Sequence, residues 1–480
     1  MEYNYLFKNA MVIDGSGHAE YIADVAIKDD RIVKISPQIN DPSEHIIDCT
    51  GLVLSPGFID VHTHDDLIVI KQPEYIEKTS QGVTSIIVGN CGISAVCATL
   101  KNEVPDPINL LGQLEEFTYP DLAAYQQKIA EVVPSVNVGT LIGHTTLRNN
   151  CVENLLEPAD EKSIAEMRNV LSKALEQGAL GLSTGLSYGN AINSSTEEIC
   201  SLAELLADYQ AIYTTHMRTE YDGILDAMDE AFLVGRHAKV AVQISHHKCA
   251  GVKNWGRTIE TLALIDKYRQ QQDINCDCYP YRAGSSNLDL TQVTEDYDIL
   301  ITWSDSHPEM AGKTLKEIAA QWSVSISLAA EKMLPAGAIY FQMDEADVRR
   351  VLKHSSSMVG SDGLPRDPNP HPRLWGTFPR VLGYYSRDEK LFPLTTAIYK
   401  MTGMSAKRFA LKQRGLVKEN YFADLVIFDA EKINESGTFQ HPKQKAEGIE
   451  YVFVNGVLTY HQKTMTGQRA GRFLAKDNNK

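Results

Sequence analysis

Two histidines separated by one residue, His62 and His64, stand in the run Asp60-Val61-His62-Thr63-His64-Asp65. On an extended strand, residues i and i+2 point to the same side, so both imidazoles converge. Neutral imidazole binds zinc at about 2.0–2.1 Å. The spacing also arises by chance, and alone it equally describes two packed side chains. Other apolar runs close in the same way: Cys91 in Gly89-Asn90-Cys91-Gly92, His216 in Thr215-His216-Met217-Arg218, and His246 in Ser245-His246-His247-Lys248. Of the neighbours His246 and His247 only one can face inward, and the parity that selects His246 also turns Lys248 inward. Asp362, in Val359-Gly360-Ser361-Asp362-Gly363, supplies a carboxylate able to touch a metal and to take a proton from water. Its ordinary alternative is a turn aspartate before glycine. Each residue singly has such a plain counterpart. Their shared place at the ends of apolar runs points to a metal site with a carboxylate able to take the proton of bound water. His144 and Lys248 also end such runs and receive no role here.

Side chains this far apart in sequence meet only if the fold gathers them. Eight short apolar runs end in polar residues: Phe58–His64, Thr84–Gly92, Val136–His144, Ala179–Gly185, Ile212–Arg218, Val240–Lys248, Ile274–Tyr281 and Ser357–Gly363. Amphipathic helices separate several of them. Ile164, Met167, Val170, Leu171, Ala174 and Leu175 have helical spacing and stop at Gly178. Ser195 and Glu198 have capping-box spacing before another helix. Alternating βα units of this number predict α/β architecture closed as a (β/α)₈ barrel, whose active site lies at the strands' C-terminal ends. An open doubly wound sheet is the alternative; no GxGxxG follows the first strand, which disfavours its dinucleotide-binding version. Both chain ends read as short strands, with an Asn455-Gly456 hairpin turn near the C-terminus. The expected division is a small β-sandwich domain from 1–57 with 414–480, and a catalytic barrel over 58–413. From 287 to 345 the pattern is helical and acidic, predicting a lid-like insertion over the barrel mouth.

Composition narrows the function classes. Apolar residues make up 43% and charged residues 22%, enough for a large core. A net charge of −16 repels phosphate backbones and anionic membranes, so neither nucleic acid nor membrane is an expected partner. No run reaches the length of a membrane helix and no secretory signal is visible. Eight cysteines without a CxxC pair read as reduced thiols in the cytoplasm. Oligomeric state is left open.

Taken together, HTH at 62–64, GNCG at 89–92, THMR at 215–218, SHHK at 245–248, YPY at 279–281, GSDG at 360–363 and the run His371-Pro372-Arg373-Leu374-Trp375-Gly376-Thr377-Phe378-Pro379-Arg380 resemble the N-acyl-D-amino-acid deacylases, the D-aminoacylases of the amidohydrolase superfamily. The resemblance spans roughly residues 5 to 460. It implies one tightly bound Zn²⁺ on Cys91, His216 and His246, and a second, weaker position on His62, His64 and Asp362, bridged by Cys91. Many superfamily members bridge two metals with a fourth-strand lysine. Here that strand, Gly178–Gly185, holds none, in keeping with a cysteine bridge. The resemblance further implies Asp362 as base and then acid, and Tyr279, Ser285 and Arg373 against the substrate α-carboxylate. D-selectivity comes from the resemblance alone.

The expected substrates are therefore small N-acylated D-amino acids. Acidic-substrate members are expected to carry a second cation after Ser285. The stretch 287–296 has none, so neutral or hydrophobic side chains are favoured. The alternatives are a cyclic-amide hydrolase of the hydantoinase or dihydroorotase kind, and a non-catalytic metal-binding scaffold.

Overall fold

The computed structural model describes residues 2–100 and 103–477. Eight parallel strands form the barrel: β1 (Phe58–Asp60), β2 (Val83–Val88), β3 (Asn137–Thr140, resuming at Ile142–Gly143), β4 (Gly181–Gly185), β5 (Ile212–His216), β6 (Val242–Ile244), β7 (Ile274–Cys278) and β8 (Ser357–Val359). β1, β2 and the first part of β3 make one ladder; the second part of β3 opens another that runs through β4, β5, β6 and β7 to β8. Leu141 N–H donates to Val88 O at 2.9 Å, so β3 is one strand serving both neighbours. The cylinder closes just past β1 and β8. There Asp362 N–H donates to His62 O at 2.7 Å and His64 N–H to Gly363 O at 3.1 Å.

That seam needs Gly360, since a Cβ there would stand 2.5 Å from His62 Cβ. Lys78, wholly buried, pins it from behind. Its ammonium lies 2.6 Å from Asp60 Oδ2 and 2.7 Å from Ser361 Oγ, one group from each side of the closure.

The helical spacing around Met167 gives Glu161–Glu176, capped by Asp160 and ended by Gly178 at φ 100°. Ser195 caps Thr196–Asp208 by accepting from Glu198 N–H at 3.1 Å. The return half of that box is diverted. Glu198 turns instead into the protein, where Arg148 grips both its oxygens at 2.7 Å and His144 Nε2 lies 2.8 Å away. Burial alone would raise the Glu198 pKa, but His144 and Arg148 outweigh it and hold the carboxyl at about 2. A carboxyl depressed this way stabilises the fold above its unfolded pKa and loses that contribution as pH falls through the folded value. About 3 kcal/mol is at stake, of which about 1 is gone at pH 4 and about 2 at pH 3. Urea midpoints measured from pH 7 to 3 should therefore fall less steeply for Glu198→Gln than for wild type. Equal slopes would remove this network as the cause.

Both chain ends join in one nine-stranded sheet. Leu425–Phe428 pairs antiparallel with Val53–Pro56, directly before β1. Asn455 at φ 48° and Gly456 at φ 79° make the expected hairpin turn. The insertion differs from its sequence pattern. Besides the helices Leu315–Trp322 and Ile326–Met333, it contains strands Ile299–Ser304 and Ala336–Tyr340, which pair with each other, the second also pairing with Gly284–Asn287. Short apolar runs such as Ile299-Leu300-Ile301 do not reveal their period, and pairing with Ala338, Ile339 and Tyr340, far along the chain, decided it. Among the described residues, no helix is long and apolar enough to cross a membrane.

Candidate metal centre

Cys91 follows β2, His216 ends β5, His246 follows β6, and Asp362 follows β8. Three of these adopt left-handed backbone: Cys91 at φ 52°, His246 at φ 36° and Asp362 at φ 50°. Such conformations cost non-glycine residues about 1–3 kcal/mol each. Here they turn the chain sharply at the strand end and aim the side chain at the barrel axis.

The result is one cluster with a shared member. His62, His64, Cys91 and Asp362 form one group and Cys91, His216 and His246 another, with the donor atoms in each within 4.8 Å of one another. Cys91 Sγ lies 3.1 Å from His62 Nε2 and 3.3 Å from His246 Nε2. His246 Nε2 is 2.9 Å from His216 Nδ1, and Asp362 Oδ1 is 3.3 Å from His64 Nε2. Donors bound tetrahedrally to zinc at about 2.0–2.3 Å stand about 3.3–3.8 Å apart. These contacts lie at or slightly inside that spacing, so the donors need to part by only a few tenths of an ångström to hold such an ion. The thiol chemistry agrees. Burial would push Cys91 up, but His62 and His246 outweigh it and hold it well below an ordinary thiol. The other seven cysteines are free and all pushed up by burial.

His247 points away, its Nε2 2.8 Å from Thr261 Oγ1. Two carboxylates that sequence reasoning missed orient the cluster. Asp277 on β7 lies 3.0 Å from His62 Nδ1 and accepts from His246 N–H at 2.8 Å. Glu220, just beyond β5, lies 2.9 Å from His246 Nδ1 and accepts from Lys248 Nζ at 2.5 Å. Carboxylates behind imidazoles fix the ring and the tautomer that faces a metal. Asp277 had a faint signal, an acid between two cysteines on a barrel strand. Glu220 had none. His144 belongs to the Glu198 network rather than to the cluster.

The cluster opens into a cavity of about 550 Å³, lined by His64, His216, His246, Tyr279, Ser285 and Asp362 among others. Arg373 stands just behind that wall. Its Nη1 lies 2.9 Å from Asp362 Oδ2, its Nη2 donates to Ser285 O at 3.2 Å, and its guanidinium sits 4.6 Å from the Tyr279 ring centre. The Tyr279 hydroxyl, the Ser285 hydroxyl and Arg373 Nε are buried without hydrogen-bond partners. Buried polar atoms left unpaired are costly, so these three remain available to an acceptor from outside the protein.

A sequence profile of the amidohydrolase family matches residues 45–263 and 290–460. The chain belongs to the amidohydrolase family. Within it, the chain is 43% identical over 475 residues to a D-aminoacylase from Alcaligenes xylosoxydans xylosoxydans, covering 99% of this chain and 98% of that one. A D-aminoacylase crystal structure superimposes with a TM-score of 0.96 at 44% identity, covering 98% of this chain and 100% of that one. The N-acyl-D-glutamate deacylase of Bordetella bronchiseptica, solved with zinc and a phosphonate mimic of the tetrahedral intermediate, gives 0.95 at 38% identity, covering 99% and 100%. Amidohydrolase chemistry and the barrel agree with the motifs that first suggested them.

Proposed function

We propose that this amidohydrolase is a zinc-dependent N-acyl-D-amino-acid deacylase, releasing a carboxylate and a free D-amino acid. The observation that carries the reading is the six-residue cluster sharing Cys91, set at the floor of a cavity beside three unpartnered polar atoms. Cys91, His216 and His246 would hold the tighter zinc, and His62, His64 and Asp362 a weaker position sharing Cys91. Zinc there would polarise the acyl carbonyl and lower the pKa of water toward about 7. Asp362 accepts the proton of the attacking water and passes it to the departing amine nitrogen, as the C–O bond forms and the C–N bond breaks. Tyr279, Ser285 and Arg373 bind the α-carboxylate, Arg373 through its unpartnered Nε.

Neutral or hydrophobic side chains fit the cavity best. Its lining cations are already committed, Lys248 to Glu220 at 2.5 Å and Arg218 to Glu230 at 2.7 Å. Asp106 and Asp289 line it too, and would repel an acidic side chain. After zinc loading, N-acetyl-D-methionine should turn over at least about tenfold faster, by kcat/KM, than N-acetyl-D-glutamate, since an uncompensated charge in such a cavity costs more than 1.4 kcal/mol. N-acetyl-L-methionine should be the poorer enantiomer. A faster acidic substrate would overturn the side-chain assignment; zinc-loaded protein hydrolysing no N-acyl amino acid would favour a scaffold.

We divide the chain into a β-sandwich domain, 1–57 with 414–480, and a barrel, 58–413, that includes the insertion 287–345 as a lid-like segment. Separate hydrophobic clusters in the terminal sheet and in the insertion support that division. We place the protein in the cytoplasm, in keeping with eight unpaired cysteines, and expect neither nucleic acid nor membrane as partner at a charge of −16.

A further inference from the structure

Between strands Leu425–Phe428 and Ile449–Val454 the chain leaves the terminal sheet, and residues 429–448 run over the barrel as a strap. Packing against the barrel is direct. A Cβ on Gly383 would stand 2.3 Å from Ile433 O, and Arg387 Nη1 donates to the carbonyls of Glu431 and Ile433 at 3.0 and 2.8 Å. Further along, Glu435 accepts from the Tyr281 hydroxyl at 2.5 Å and pairs with Arg380. Phe439 then inserts its ring between His371, at 4.9 Å and 79°, and Phe341, at 4.8 Å and 56°.

These contacts converge on two elements. One is the turn Tyr279-Pro280-Tyr281, where Arg380 Nε also donates to Pro280 O at 2.7 Å. The other is the helix Arg373–Arg380, whose first N–H, that of Arg373, donates to His371 Nδ1 at 2.9 Å. His371 is thus an acceptor that sets where the helix begins. Burial and the Arg373 cation hold its pKa well below the ordinary histidine value, so the ring stays neutral and can accept. Its edge-on contacts with Phe439 and, at 5.0 Å, with Tyr281 fix the ring's plane. Within the metal cluster, His62 and His246 are steadied by other partners, Asp277 and Glu220, whereas Asp362 is met by Arg373 at 2.9 Å.

We propose that Glu435 and Phe439, from the terminal sheet's strap, are positioning residues for the α-carboxylate subsite, acting on Tyr279 through Tyr281 and on Arg373 through His371. This rests on the subsite reading given above. A guanidinium and a hydroxyl that must meet one carboxylate tolerate little displacement, and shifts near 1 Å from a distant substitution cost up to about 100-fold. Substrate binding should suffer most and zinc retention on Cys91, His216 and His246 should not change, with a smaller loss of kcat because Arg373 also meets Asp362.

The test uses the zinc-loaded full-length chain carrying Phe439→Ala or Glu435→Gln, with N-acetyl-D-methionine as substrate. KM should rise about tenfold or more with kcat within about threefold, the pattern of lost uniform binding. Zinc content, and inhibition by acetohydroxamate, which addresses only the metal, should match wild type. Phe439→Tyr keeps the ring and should restore KM. A fall in kcat at unchanged KM, or acetohydroxamate inhibition shifting in step with KM, would mark a general disturbance and overturn the proposal. Tyr279→Phe and Arg373→Met distinguish the two levels. If they raise KM and the strap variants do not, the strap has no positioning role and the subsite stands. If they leave KM unchanged, the subsite reading itself fails and the strap proposal with it.

Discussion

Cys91→Ala is expected to abolish both metal retention and hydrolysis. Purified and dialysed beside wild type, the variant should keep less than about a tenth of the zinc, and its kcat/KM should fall by at least about 10³, because Lewis-acid stabilisation supplies several kcal/mol of the barrier reduction. The size of the effect follows from geometry. Cys91 is the only residue common to both ligand groups, so its loss dismantles each at once. It also supplies the anion. Its thiol is held well below the ordinary range by His62 and His246, which otherwise face each other across the barrel with ring centres 5.0 Å apart. The other seven cysteines lie outside both groups, and burial pushes each of them up toward the neutral thiol. Thermal melts without added metal should separate lost zinc from lost fold. Wild-type zinc content with full activity in Cys91→Ala would remove the proposed centre altogether.

Asp362→Asn is expected to divide metal binding from proton transfer. The amide is nearly isosteric and keeps the hydrogen bond from Asp362 N–H to His62 O that closes the barrel, since that bond is made by the backbone. It cannot carry a proton from water to the leaving nitrogen. General acid–base transfer is worth about 10²–10⁴, so kcat should fall by about 10³. Zinc on Cys91, His216 and His246 should remain near one equivalent, because Asp362 belongs to the other ligand group. Metal analysis beside kcat decides the matter. Loss of all zinc would make Asp362 a primary ligand rather than a base, and a fall below tenfold would point to another proton acceptor.

Much of the fold was legible before any coordinates. Strand parity is local, so His62 and His64 could be set on one face from two-residue spacing alone. The helix around Met167 and the Asn455-Gly456 turn were likewise readable, because a stop at Gly178 and positive φ at the turn are properties of a few adjacent residues. The insertion's strands were not. Ile299–Ser304 acquires its state from Ala336–Tyr340, a partner no local window contains. Glu198 shows the same limit at one residue: its spacing from Ser195 announced a capping box, and a buried arginine claimed the side chain instead.

Residue types and spacing by themselves pointed to a metal site, since histidine, cysteine and aspartate recurring at the ends of several strands are the donors such a site needs. Which atoms face which was decided only when the cylinder closed. Asp277 and Glu220 became the props of His62 and His246, Lys78 the pin of the seam, and Arg373 the partner of Asp362, all across strands far apart in the chain. The reason is physical. A side chain's direction is set by its own backbone, but its electrostatic partner is set by whichever distant strand the hydrophobic core brings alongside.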